Sequence, residues 1–147
     1  GEPVATIVAR ASQLQGIDVP TELVPSAIDE FPIICIAAAC ASGTTRITEA
    51  AELRVKESDR IAQVAKGLKT LGVVHEEFAD GLSIVGGRIG GGCIDSGSDH
   101  RIAMAFTVAS LAAQEPVEIL DCANVATSFP DFVRLASAAG LSIEVCE

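Results

Sequence analysis

The sequence predicts a mixed α/β (α+β) chain in which strands and helices alternate through two similar units. Three observations carry this. Two strongly apolar helices open about seventy residues apart, at Asp29-Glu30-Phe31-Pro32-Ile33 and at Asp99-His100-Arg101-Ile102-Ala103. Gly72-Val73 and Gly140-Leu141 recur at nearly the same offset, each where a helix should stop. Asp80-Gly81 separates two short apolar runs, which is a strong hairpin signal.

In chain order, Val4 to Ala9 reads as a strand and Pro20 to Pro25 as a loop. A helix is predicted from near Asp29 to about Ala41, with Asp29 as its N-cap. Ser42-Gly43 ends it, and Thr44 to Thr48 alternates as a strand does. The next helix should start near Glu57 and stop before Gly72. Its apolar residues Ile61, Val64, Leu68 and Leu71 recur at spacings of three and four and so share one face. Val73 to Phe78 and Leu82 to Val85 form the hairpin, and Gly86 to Gly92 forms a glycine-rich turn. Asp99 opens a helix to about Ala113, Val117 to Leu120 is a strand, a shorter helix lies between Pro130 and Gly140, and Leu141 to Val145 is a final strand. The unit is therefore strand, helix, strand, helix, strand, strand. Its copies cover about 1–86 and 87–147, the second truncated at its end. Both apolar helices are expected inside a ring of sheets, because a helix on a sheet's outer face would carry one polar side.

Composition narrows the function. Apolar residues make up 49% of the 147-residue chain and charged residues 20%, so it is soluble and globular rather than disordered. A formal net charge of −10 argues against nucleic acid, which needs a broad basic surface. The longest apolar run, Ile33 to Ala41, is too short to cross a bilayer, so no membrane partner is expected. No two of Cys35, Cys40, Cys93, Cys122 and Cys146 have metal-knuckle or redox spacing. They read as reduced, buried thiols in a cytoplasmic protein. Gly86-Gly87 and Gly90-Gly91-Gly92 lack both the order of a nucleotide fingerprint and a following Lys-Ser/Thr.

Four basic residues, Arg54, Lys56, Arg60 and Arg101, fall in two short clusters that suggest a small anionic ligand. The first is Leu53-Arg54-Val55-Lys56-Glu57-Ser58-Asp59-Arg60, which leads into a helix N-terminus where free N–H groups favour anions. Arg60 offers a fork for a carboxylate or phosphate, and Lys56 a point charge. Of Glu57 and Asp59, one is expected to cap the helix and the other to exchange protons with substrate. A solvated, salt-bridged helix start is the plain alternative. The second cluster, Ser98-Asp99-His100-Arg101, places cations at a helix start, which the dipole disfavours unless an anion is present. There the alternative is a surface His100 and an Arg101 paired with an acid. Asp29 occupies the position in the first unit that Asp99 occupies in the second, and N-capping is its plain reading. Ala126-Thr127-Ser128-Phe129-Pro130-Asp131 is a helix entry rich in hydroxyls.

Taken in order, Ile28 to Pro32, Arg54 to Arg60, Asp99 to Ala105 and Ser128-Phe129-Pro130 resemble the 5-enolpyruvylshikimate-3-phosphate synthase family. The resemblance covers essentially the whole chain and matches roughly the last third of the family's sequence. An N-terminal domain and the first part of the C-terminal domain are expected outside it. The resemblance implies an enolpyruvyl transferase-like inverse α/β barrel of βαβαββ units, three per domain, of which two are present. It also implies transfer of the enolpyruvyl group from phosphoenolpyruvate to the 5-hydroxyl of shikimate 3-phosphate, with release of phosphate and no metal or other cofactor.

The residue roles are implied by the same match. Asp29 would face the shikimate hydroxyls and accept a proton. Lys56 would contact the phosphoshikimate. Glu57 would deliver the proton to C3 of phosphoenolpyruvate. Arg60, His100 and Arg101 would hold its carboxylate and phosphate. Thr127 stands where some members have Lys, and Glu52 where some have Asn. The fragment alone is expected to be inactive and to self-associate through its exposed edge. Two rivals were weighed. A UDP-N-acetylglucosamine enolpyruvyltransferase shares the fold and chemistry but not these two clusters. A non-catalytic domain keeping the fold would not be expected to retain Asp29, Glu57, Arg60 and Arg101 together.

Overall fold

The computed structural model describes residues 4–146. Residues 4–14 run exposed and enter no sheet, so the strand expected at Val4 to Ala9 does not form. An alternating apolar pattern is not sufficient where no neighbouring strand of the chain takes up its N–H and C=O groups. The first sheet-like pairing comes later, where Gln15 and Asp18 bridge in parallel to Ser42 and Arg46.

Helical turns then run from Thr21 to Cys40: a 3-10 turn (Thr21–Leu23), α1 (Val24–Ala27), a second 3-10 turn (Ile28–Glu30) and α2 (Phe31–Cys40). The loop expected at Pro20 to Pro25 is thus helical. Pro25 sits in the first turn of α1, where a missing N–H leaves no bond unmade. In α2, Pro32 takes the same place, the N-cap is Glu30, and no side chain caps the helix. Asp29 is therefore not the cap. These 20 residues have the length and hydropathy to cross a bilayer, but α2 is packed into the protein core and Asp29 and Glu30 within the stretch are ion-paired.

After β1 (Thr44–Ile47), a 3-10 turn (Ala51–Val55) leads to α3 (Arg60–Thr70). The predicted apolar face of α3 is buried at Ile61, Val64 and Leu68, with Leu71 beyond its end. Gly72 has φ +72°, and the bonds Gly72 N to Lys69 O and Val73 N to Leu68 O close a Schellman motif. The same pair of bonds recurs at Gly140 and Leu141, so the glycine correspondence read from sequence is a shared helix ending.

β2 (His75–Phe78) pairs antiparallel with β3 (Gly81–Val85), in a sheet of order β1-β3-β2. Because Phe78 opposes Gly81, the turn is Ala79-Asp80, one residue earlier than predicted. Gly81 is needed for a close approach instead, since a Cβ there would lie 1.9 Å from the Ile47 carbonyl oxygen. β4 (Gly92–Asp95), α4 (His100–Ala109) and β5 (Val117–Leu120) form a parallel strand-helix-strand unit. α5 (Val125–Ser128) and α6 (Phe132–Ala138) follow, and Leu141 to Val145 makes no strand.

α2 packs on α3 and α4 between the two sheets. The core they share includes Ile36, Leu68, Ile84, Ile102 and Phe106. Full burial of a side chain of that size contributes about 1.5–3 kcal/mol, so this layer fixes where the helix starts lie. Of the cysteines only Cys35 is buried, its thiol pushed up to about 12 by burial. Cys40, Cys93, Cys122 and Cys146 are exposed, contrary to the expectation of buried thiols. Cys40 ends α2, and Cys93 alternates on β4 with the inward Ile94.

Candidate active site

The starts of α3 and α4 and the turn before α2 meet around Arg60. Asp59 caps α3, accepting from Ala62 N at 2.9 Å. That settles which of the two acids does so and leaves Glu57 free. Asp99 caps α4 from a fully buried position, accepting from Arg101 N at 2.9 Å and Ile102 N at 3.4 Å. Arg60 is the first residue of α3, and its side chain is 1% exposed.

The Arg60 guanidinium meets three carboxylates. Nε donates to Asp99 Oδ2 at 2.8 Å, Nη1 to Asp29 Oδ1 at 2.9 Å and Nη2 to Glu57 Oε2 at 2.6 Å. Ser58 Oγ adds a bond to Asp99 Oδ2 at 3.0 Å. Lys56 Nζ lies 2.6 Å from Glu52 Oε1 and 3.5 Å from Asp29 Oδ1. Arg101 Nη1 donates to the Asp29 carbonyl at 3.0 Å and to Glu30 Oε1 at 2.8 Å. His100 opens α4, part-exposed, with no side-chain hydrogen bond among the described residues.

The electrostatics follow from this arrangement. Burial alone would raise the Asp29 and Asp99 carboxyls. For Asp29, Lys56, Arg60 and Arg101 outweigh it, and for Asp99 the Arg60 guanidinium does, so both lie below the usual carboxylate range. Burial would lower Arg60, and Asp99 overrides it, so its charge is held more firmly than usual. The hydrogen bond that Lys56 donates to Glu52 does the most to raise Lys56.

The structure brings together Asp29, Lys56, Glu57, Arg60 and Arg101, and places His100 at the same helix start. Lys56, Arg60 and Arg101 lie close together, and five carboxylates (Asp29, Glu30, Glu52, Glu57 and Asp99) already answer them. Two of those pairs, Lys56–Glu52 and Arg101–Glu30, are partly solvated, and such pairs contribute only about 0–1 kcal/mol each. An anion can therefore displace Glu52 and Glu30, whereas Arg60–Asp99 is buried on both sides and stays. Sequence reasoning missed Asp99 as the anchor of Arg60 and Glu30 as the partner of Arg101. It also grouped Arg54 with the anion-binding residues, although its guanidinium lies against the hairpin. Thr127 lies in α5, and among the described residues no side-chain hydrogen bond joins it to this cluster.

Comparison with known proteins gives a consistent answer. The family model described as EPSP synthase (3-phosphoshikimate 1-carboxyvinyltransferase) matches residues 1–135. The chain is 63% identical over 145 residues to a 3-phosphoshikimate 1-carboxyvinyltransferase of Acidithiobacillus ferrooxidans, covering 99% of this chain and 34% of that protein. For the enzyme of the same name from Halorhodospira halophila, identity is 60% over 146 residues, covering 99% of this chain and 33% of that one. The EPSP synthase structure from Acinetobacter baumannii at 2.37 Å superposes with a TM-score of 0.89 at 51% identity, covering 92% of this chain and 32% of that chain. The chain thus spans about a third of the length of the curated relatives it matches, and its fold is part of an enolpyruvyl transferase domain.

Proposed function

The chain belongs to the EPSP synthase family, and on that premise we propose that it supplies one wall of the site that transfers the enolpyruvyl group of phosphoenolpyruvate to shikimate 3-phosphate. The supporting observation is the Arg60 fork, which holds Asp29 on one terminal nitrogen and Glu57 on the other. Two carboxylates oriented by one buried cation form a matched proton acceptor and donor. Asp29, kept ionised, takes the proton of the 5-hydroxyl as that oxygen adds to C2. Glu57, which must enter the step protonated, gives that proton to C3. The tetrahedral adduct then loses phosphate from C2 and a proton from C3, the proton returning to Glu57, and the enol ether forms.

The anionic groups take over the cations that Glu52 and Glu30 now hold. Lys56 turns to the phosphoshikimate. Arg101, with His100 beside it, turns to the carboxylate and phosphate of phosphoenolpyruvate. Arg60 completes that pocket from behind the two reacting carboxylates. Exchange of one carboxylate partner for another keeps each cation compensated throughout. The boundary between the two units is placed near residues 86 and 87. The remainder of the enzyme is the partner that covers exposed apolar side chains such as Leu120, Phe129 and Leu135. A cytoplasmic setting suits four exposed, unpaired thiols.

The test uses the full-length enzyme. Glu57→Gln keeps size and one hydrogen bond but has no proton to give, so turnover should fall by roughly 10²–10⁴-fold. Solvent deuterium should enter the C3 methylene correspondingly slowly. Near-normal turnover and exchange would remove Glu57 from the role. The isolated 147-residue chain should release no phosphate from the two substrates, because it carries only part of the site.

A further inference from the structure

We propose that Arg54 is a positioning residue that clamps the Lys56-Glu57-Ser58 loop so that Lys56 and Glu57 are presented to the site. The proposal rests on the reading of Lys56 and Glu57 given above. The side chains of the loop pair with Glu52, Arg60 and Asp99, but its main chain has little to hold it. It lies between the 3-10 turn Ala51–Val55 and α3, and among the described residues no backbone group of residues 56, 57 or 58 makes a main-chain hydrogen bond. Val55 beside it is largely exposed. The placement of a proton donor is thus left to side chains.

Arg54 closes the loop across its base. Nη1 grips both carboxylate oxygens of Asp59, at 3.1 and 2.9 Å, five residues ahead. The rest of the guanidinium is fixed to the hairpin: Nε donates to the Ala79 carbonyl at 2.8 Å, and Nη2 to the Phe78 carbonyl at 2.5 Å and to Glu77 Oε1 at 2.9 Å. One planar group therefore ties both ends of the loop to each other and to the β2-β3 turn. Asp59 is at once the far end of the loop and the cap of α3, so the clamp also sets where α3 begins and hence where Arg60 stands. A lysine cannot substitute, because a single ammonium lacks the fork that reaches a carboxylate and two carbonyls together. Among the described residues Arg54 makes no hydrogen bond or ion pair with Asp29, Glu57 or Arg60, which separates positioning from catalysis.

In the full-length enzyme, Arg54→Ala should lower turnover by about 10–100-fold, the usual consequence of misplacing a reacting group by about an ångström. It should also speed trypsin cleavage after Lys56, read by mass. Millimolar guanidinium should restore part of the turnover by refilling the vacated fork, while Arg54→Lys should not. Asp59→Asn should add little to Arg54→Ala, because both remove one clamp. Unchanged cleavage at Lys56 would show that the loop is not clamped. Faster cleavage with undiminished turnover would end the positioning role. If Arg54→Ala is insoluble, Asp59→Asn, which keeps a capping side chain, carries the same two readouts. A wild-type enzyme that does not react with these two substrates would overturn the functional reading, and the cleavage assay would still decide the clamp.

Discussion

Arg60 Nε donates to Asp99 Oδ2 at 2.8 Å, with the two side chains 1% and 0% exposed. This contact joins the first residue of α3 to the cap of α4, so one ion pair locks two helix starts into a fixed relation. Asp99 also accepts from Ser58 and from the first backbone N–H groups of α4, so every bond it makes holds its charge in place.

Removing that charge should be expensive. Breaking one partner of a buried pair costs about 3–5 kcal/mol where the other is stranded, and less here because Asp29 and Glu57 still answer Arg60. Asp99→Asn keeps a capping side chain, so its loss should come almost wholly from Arg60, whereas Asp99→Ala adds the loss of a cap, about 0.5–2 kcal/mol more. Urea unfolding of both variants checks the order. A small loss in Asp99→Asn, with a large one only in Asp99→Ala, would mean that Asp99 acts as a cap alone.

The same pair sets an acid limit. Asp29 and Asp99 both lie below the ordinary aspartate value of 3.8 in the folded protein. In the window between folded and unfolded values the unfolded chain binds more protons, so stability rises with pH there. Their contribution is full above about pH 4, near the unfolded carboxyl value, and is lost as pH falls through the folded values. Thermal melts from neutral pH downward should show a steep fall below that point in the wild type. The fall should be shallower in Asp99→Asn, which has already lost one of the groups.

Gly67 lies inside α3, where helix propensity favours Ala by about 1 kcal/mol. Packing opposes it, because a Cβ there would sit 2.1 Å from the ring of the fully buried Phe106. Overpacking of this kind costs about 1–3 kcal/mol, so Gly67→Ala should be net destabilising. Adding Phe106→Leu should recover part of the loss in a double-mutant cycle, whereas additive losses would exclude the clash.

Arg101→Ala in the full-length enzyme should weaken phosphoenolpyruvate far more than shikimate 3-phosphate. Loss of a partly desolvated, charged contact should amount to about 2–4 kcal/mol. Direct binding of each substrate separates the two, and an equal loss for both would make Arg101 structural. Glu30→Gln should have the opposite sign, since it removes the carboxylate that competes for the same guanidinium.

The sequence by itself determined the alternation of helices and strands, the buried face of α3, the shared helix ending at Gly72 and Gly140, and the family. These are local properties: a spacing, a glycine at a positive φ, a run of motif residues. It also singled out Asp29, Lys56, Glu57, Arg60, His100 and Arg101 as candidates. Only the tertiary structure decided how they are used. Asp29 and Asp99 occupy matching positions in the two units, yet Asp99 caps its helix and Asp29 turns its carboxylate to Arg60. The difference arises because the single buried guanidinium, 31 residues from one and 39 from the other, faces both. Arg54 likewise looked like part of the anion site until the hairpin turn closed over it. The strands expected at Val4 to Ala9 and Leu141 to Val145 failed for the complementary reason. A strand exists only where another supplies its hydrogen bonds, and this chain places none beside them.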